Sequence, residues 1–240
     1  MPRSASRMDA FDLAYAVAPR RTPFPILAAL ADLLEDTSRR VPQGHIDEVI
    51  EAARRPARFM ERALVLTARE QQAFPQRAED RVRMHLVSRD QDRLVALGGL
   101  WVFWCAIYLH SQTTAVVVPD KAARRQFLAR AVETVARVPG YLRGTIRRVA
   151  CDPGRSWIEF NNSAVLLVCT PNDMPRSMAI SNAFIYDFAP RSPEALRAVL
   201  DYLGVWQAHS RRVVVLSPQP QTELVRAIGN DPFPTVFLDD

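Results

Sequence analysis

Between Arg83 and Ser217 the chain alternates short apolar runs with longer segments of helical periodicity, and few architectures accommodate that alternation. TTAVVVP (113–119), NAFIYDF (182–188) and RRVVVLS (211–217) are short runs rich in β-branched and aromatic residues. Runs of this kind belong to strands covered on both faces. RMHLV (83–87) opens the series as a further strand. Helix signals lie between the strands. Residues 94–111 form an apolar helix candidate, and Asp120 is placed to cap a second, in which Phe127, Leu128, Ala131 and Val135 share a face. Ser192 and Pro193 start a third, carrying Leu196, Val199, Leu200 and Leu203, and Gly204 is its expected stop. Strand and helix in alternation predict an α/β fold with a mainly parallel sheet flanked by helices. TIRRVA (145–150), SWIEF (156–160) and AVLLVC (164–169), with DPG (152–154) as a turn, predict an antiparallel addition to that sheet. Met84–Val87, Ala115–Val118, Phe184–Asp187 and Val213–Leu216 are expected in its interior.

Leu94 to His110 is a run of 17 residues without a charge. A membrane-spanning helix needs about 20 apolar residues. This run is slightly short, and Gly98 and Gly99 interrupt it. A helix apolar on all sides is also what a parallel sheet buries against its face, and that is the expectation here. The first 57 residues differ in character. Helical stretches near 9–18, 25–36 and 45–55 are separated by the breaks TPFP and VPQG, so 1–57 is expected to be a helical N-terminal region and 58–240 the α/β domain. The N-terminus has no sustained apolar core like that of a signal peptide.

Cys105, Cys151 and Cys169 are widely spaced and make no CxxC pair, which argues against a disulfide framework or a zinc site. His45, His85, His110 and His209 do not cluster, so no metal centre and no cofactor are expected. The formal charge of +5 is carried by 30 Arg and one Lys. Arginine pairs with phosphate in a planar, bidentate way, so a nucleic-acid surface has to be weighed against a solvated arginine-rich exterior. Arg147, Arg148, Arg211 and Arg212, in doublets within or beside strands, are the candidates for binding DNA or an acidic partner.

SRDQDRL (88–94) lies between the first strand and the long helix. That is where α/β proteins build a phosphate-binding loop, which requires glycine, lysine and a hydroxyl residue. A nucleotide-hydrolysing domain also needs a carboxylate pair ending another strand and a polar residue ending a neighbouring one. FIYDF supplies Asp187 but follows it with Phe188, and VVVLSP supplies Ser217.

In order and spacing these segments resemble the ATPase domain of the large terminase subunit, the genome-packaging motor of tailed phages and herpesviruses. That resemblance spans roughly residues 60–220 and implies a P-loop NTPase-like fold. LTAREQQAF offers Gln71 or Gln72 where the family has an adenine-side glutamine. SRDQDRL falls on the family's SRQxGKT loop, with Ser88 and Arg89 matching. Asp90 stands for Gln, Asp92 for Gly, Arg93 for Lys, and Leu94 for the magnesium-binding Thr. WIEFNNS, PRS and AFIYDFA resemble the family's IxFxNGS, RG and acidic-pair stretches, and VVVLSPQP its coupling strand. The departures imply a degenerate nucleotide site of Gln71, Arg89, Asp92, Arg93, Asp187 and Ser217, with no catalytic residue left. After VVVLSPQP only about twenty residues remain, too few acidic groups for the family's nuclease centre, and PTVFLDD is expected to add an edge strand or a docking segment. The expectation is a virus-encoded pseudo-ATPase with a structural or regulatory role in genome packaging or virion assembly. It would partner a packaging motor or another viral protein, with DNA a further candidate, and involve no membrane. Its place would be the host cytoplasm for a phage, the nucleus for a herpesvirus, or the virion. The alternatives are an atypical ATPase using Arg93 with Glu159 or Asp173, and an interaction protein, such as a decoy, unrelated to packaging.

Overall fold

The structure is a computed structural model, and it describes residues 50–240 except 76, 78–79, 110, 137–145, 152–154, 176–177, 189–190, 229–232 and 240; the side chains of 130–136, 146, 148–151 and 155 also fall outside the description. The expected helical stretches before residue 50 and the DPG turn at 152–154 lie outside the described residues. In chain order the elements are α1 (Pro56–Met60), α2 (Ala68–Ala73), β1 (Val82–Val87), α3 (Gln91–Tyr108), β2 (Thr113–Val117), α4 (Lys121–Ala136), β3 (Ile146–Cys151), β4 (Arg155–Phe160), β5 (Val165–Cys169), a 3-10 turn (Pro171–Asp173), β6 (Asn182–Tyr186), α5 (Pro193–His209), β7 (Arg212–Ser217), α6 (Glu223–Ile228) and β8 (Thr235–Phe237).

The strands form one eight-stranded sheet in the order β3-β4-β5-β2-β6-β7-β1-β8. From β5 to β8 every neighbouring pair is parallel. β3 and β4 join by antiparallel pairing, as the β-rich stretch at 145–169 predicts. The strands expected in the interior are there: β2, β6, β7 and β1 have neighbours on both sides. PTVFLDD supplies the edge strand β8.

Side-chain alternation along the buried strands divides the core into two layers. Val116, Phe184, Tyr186, Val214 and Leu216 face α3 and α4, with Phe59 and Met60 of α1 and Phe74, which follows α2, in the same cluster. Ala115, Ile185, Val213 and Val215 face α5 and α6. Two helical layers on a covered sheet explain why the strand segments are apolar at consecutive positions. α3 is apolar all round because it is covered twice. The sheet lies beneath it, and α1 lies over it, where Phe59 meets Tyr108 edge-on and the Trp104 indole donates to the Ala52 carbonyl at 2.8 Å. Leu94, Leu97, Leu100, Trp101, Val102 and Trp104 are completely buried, each side chain contributing roughly 1.5–3 kcal/mol. Among the described residues no helix is long and apolar enough to cross a membrane. The domain boundary expected at residue 57 falls within α1, and Ala52 belongs to the same core cluster as α3.

Two expectations need correction. α3 starts earlier than Leu94, because Asp90 caps it: its carboxylate accepts from the Arg93 N–H at 2.9 Å. Gly204 does not stop α5, which runs on to His209. Gly204 sits on an exposed face with open space around its Cα, so it costs helix propensity without breaking the hydrogen-bond ladder. The helix ends where β7 begins, and Arg83 of β1 donates to the Gln207 and Ser210 carbonyls at 2.8 and 2.7 Å. A cation on the last carbonyls is favourable for the helix dipole.

Candidate functional site at the carboxyl edge of the sheet

The connection from β1 runs through α3 on one face of the sheet to β2, leaving β6 and β7 between. The connection from β7 runs through α6 on the other face, past β1, to β8. The chain thus departs in opposite directions from β1 and β7, and the crevice beyond their carboxyl ends is the topological switch point where open α/β sheets place ligands. Ser88, Ser217 and Asp187, all expected at strand ends, meet there. The Ser88 N–H donates to the Ser217 carbonyl at 3.4 Å and the Asp187 N–H to the Leu216 carbonyl at 2.8 Å.

The loop after β1 is only three residues long, Ser88, Arg89 and Asp90. Asp90 is committed to its helix as the N-cap, and its own N–H donates to the Ser88 hydroxyl oxygen at 3.1 Å. The Arg89 N–H donates to the Asp239 carboxylate at 2.8 Å, and the Ser88 hydroxyl donates to the other oxygen of that carboxylate. Asp92 lies exposed in the first turn of α3, and Leu94 is fully buried in the core.

Arg93 turns away from the crevice. Its Nε and Nη2 reach the two carboxylate oxygens of Glu70 at 2.7 and 2.6 Å, and Nη2 also donates to the Val65 carbonyl at 2.5 Å. Glu70 is 2% exposed and doubles as the third residue of a capping box with Thr67, whose N–H it accepts at 2.7 Å. Burial alone would raise the Glu70 carboxyl, but the Arg93 and Thr67 hydrogen bonds outweigh it and hold the group below its ordinary range. Glu70 is not among the site residues expected from the sequence; the T-x-x-E spacing from Thr67 is the signal that marks its cap, but its bond to Arg93 spans 23 residues and leaves no local signal.

Asp187, 5% exposed, is held from two sides. Its carboxylate pairs with Arg191 and accepts from the Thr222 hydroxyl. Arg191 also donates to the Tyr186 carbonyl at 2.8 Å, and burial lowers its guanidinium to about 10. Phe188 carries no proton-accepting group and packs edge-on against Tyr186, which meets Phe127 in the same way. Ser217 is fully buried; its hydroxyl lies 2.6 Å from His85 Nε2 and donates to the Gln219 carbonyl. A cavity of about 310 Å³ lies beside Asp187, lined by Arg191, Gln219, Thr222, Glu223 and Arg226 among others.

The other candidates scatter. Gln71 is exposed on α2 and donates to Glu61 at 3.0 Å. Glu159 pairs along β4 with the antiparallel strands, and Asp173 accepts from Thr170 at 2.7 Å beside Arg124, so neither joins Asp187. Among the described residues no group of three or more His, Cys, Asp or Glu is placed to hold a metal ion.

At the opposite, amino edge the arginine doublets divide. Arg211 and Arg147 are exposed, and the Arg148 side chain lies outside the described residues. Arg212 corrects the expectation of a surface cation. It is completely buried, donates to Asn182 Oδ1 at 3.0 Å and lies 5.6 Å over the Trp104 ring. Asn182 in turn donates to Gln112 and Thr114 at 3.0 and 3.1 Å, so this cation is part of an internal network.

No family model matches the sequence, and no curated protein matches it. Among solved structures, the chain is similar to the large terminase ATPase domain of Thermus phage P74-26, at 12% identity with a TM-score of 0.52, covering 76% of this chain and 85% of that one. A point mutant of the same phage domain matches at 12% identity and a TM-score of 0.51, covering 76% and 86%. At such identity the likeness is one of fold: the mainly parallel sheet and its flanking helices are similar to those of that ATPase domain.

Proposed function

We propose that this chain keeps a terminase-type ATPase fold without hydrolysing nucleotide, and acts as a structural or regulatory component in viral genome packaging or virion assembly. One observation carries the loss of chemistry. Arg93, the cation at the lysine position of the loop, is held bidentately by the buried carboxylate of Glu70 and does not face the crevice. Drawing it back to a phosphate would leave Glu70 charged and buried with only its Thr67 hydrogen bonds, a cost towards the lower end of about 3–5 kcal/mol. The remaining groups point the same way: Leu94 offers no metal ligand, Phe188 offers no base, and Asp187 is occupied by Arg191 and Thr222. Preorganised charge is the largest part of catalysis at phosphoryl centres, and here it is committed to holding the fold.

Titration calorimetry with Mg-ATP is expected to show no heat of binding, and a phosphate-release assay no turnover above background. Micromolar binding together with turnover abolished by Arg93→Ala would overturn the reading in favour of an atypical ATPase. Co-purification from infected cells is expected to bring down a packaging-motor protein or another virion component. Recovery of a host factor alone would favour the interaction protein unrelated to packaging.

A further inference from the structure

The short loop between β1 and α3 still presents two donors to one point in space, the Ser88 hydroxyl and the Arg89 N–H. Both are taken by the two oxygens of a single carboxylate, that of Asp239. The approach is guided by the sheet. β8 pairs in parallel with β1, His85 with Thr235 through Val87 with Phe237, and the Leu238 N–H continues the ladder to the Val87 carbonyl at 2.8 Å. This carries residue 239 to the loop, where Arg69 of α2 donates to its backbone carbonyl at 2.5 Å. Hydrogen bonds from Ser88 and Arg89 hold the Asp239 carboxyl below its ordinary range. An anion held by a hydroxyl and a backbone N–H where a strand turns into a helix occupies the place an incoming oxyanion would take.

We propose that Asp239 is an internal stand-in for an oxyanion: it fills the anion position of the loop and excludes phosphate-bearing ligands until the segment following β8 is displaced. The proposal rests on the reading of the loop as a degenerate phosphate loop. It separates two features that sequence would lump together. The substitutions at 92, 93 and 94 remove chemistry, whereas Asp239 closes the position itself. A tethered carboxylate competes at a high effective concentration, so a free anion has to displace it to bind.

The test uses the full chain and inorganic pyrophosphate, followed by calorimetry and by the backbone amide resonance of Arg89. Wild type is expected to show no binding and no shift of that amide. Asp239→Ala is expected to gain pyrophosphate affinity by at least about tenfold, the factor for a loop that the carboxylate fills nine-tenths of the time or more, with the Arg89 amide shifting on titration. Asp239→Asn, which keeps an acceptor but loses the charge, is expected to fall between. It also serves as the second variant should Asp239→Ala fail to fold. A folded Asp239→Ala or Asp239→Asn that stays as silent as wild type overturns the proposal and leaves the loss of hydrolysis standing. Equal pyrophosphate binding by wild type and both variants overturns it too. Turnover of Mg-ATP by wild type would instead sink the proposed function.

Discussion

In the pair of Glu70 and Arg93, one carboxylate serves both a helix cap and a guanidinium. Glu70→Ala removes the carboxylate from a nearly closed environment and leaves a guanidinium that is 26% exposed. Removing one member of a buried pair costs about 3–5 kcal/mol, and the partial exposure of Arg93 puts the expected loss near the lower end of that range. Urea unfolding of the variant against wild type measures it. His85 gives a separate, pH-resolved signal. Burial between β7 and β8 lowers its imidazole from 6.5 to about 4, so the fold favours the neutral ring. Its folded value lies below the unfolded one, so the full contribution is present above pH 6.5. That contribution is lost as pH falls from 6.5 towards 4, with a slope of up to about 1.4 kcal/mol per pH unit. Unfolding free energies measured across that interval should fall more steeply for wild type than for His85→Gln. Parallel curves would show that the ring accepts a proton without cost.

At the scale of elements, α3 lies against the sheet with no room for a side chain at Gly98. A Cβ at Gly98 would lie 2.8 Å from a Leu216 methyl and press on the Tyr186 hydroxyl. Gly98→Ala is expected to cost about 1–3 kcal/mol by overpacking. The Tyr186 hydroxyl has no hydrogen-bond partner among the described residues, so Tyr186→Phe removes the obstruction at little loss. In a double-mutant cycle Gly98→Ala should be milder when combined with Tyr186→Phe; additive costs would place the strain at Leu216 instead. The elements themselves were legible because their signals are local: apolar runs of strand length, an uncharged run of helix length, Ser192 before Pro193. Gly204 misled because glycine on an exposed helix face weakens a helix without ending it. The site was legible only in outline. Ser88, Asp187 and Ser217 fall at strand ends, and strand ends follow from run lengths. What each residue touches did not follow, because Arg212 meets Asn182 and Trp104, and Arg89 meets Asp239, across long sequence separations.

For the molecule as a whole, the count of 31 basic side chains overstates what the surface presents as cation. Arg83 caps a helix, Arg93 and Arg191 answer internal carboxylates, and Arg212 is sealed beneath α3. Arg211 and Arg147 remain exposed at the amino edge, with four strands between theirs. At about 4.8 Å per strand that is a separation of roughly 24 Å, wide enough to require an extended partner. If duplex DNA binds here, Arg211→Ala should flatten the slope of log affinity against log salt by up to about 0.9. Arg212→Ala should unsettle the core and leave that slope unchanged. Mobility shifts at several salt concentrations decide, and a wild type that fails to shift at low salt points to a protein partner alone.

The position of β1 also sets a timetable for synthesis. Its neighbours in the sheet are β7 and β8, and His85 meets Thr235 across 150 residues of chain. A ribosome makes β1 early and both of its neighbours late, so the strand waits without a partner while the helix behind it, almost wholly apolar, emerges into solvent. Long-range parallel pairing is slow, and exposed apolar segments in the interval invite aggregation. The sheet can close only once the last of these strands has left the exit tunnel, so its completion trails the synthesis of the strand it starts from by most of the chain.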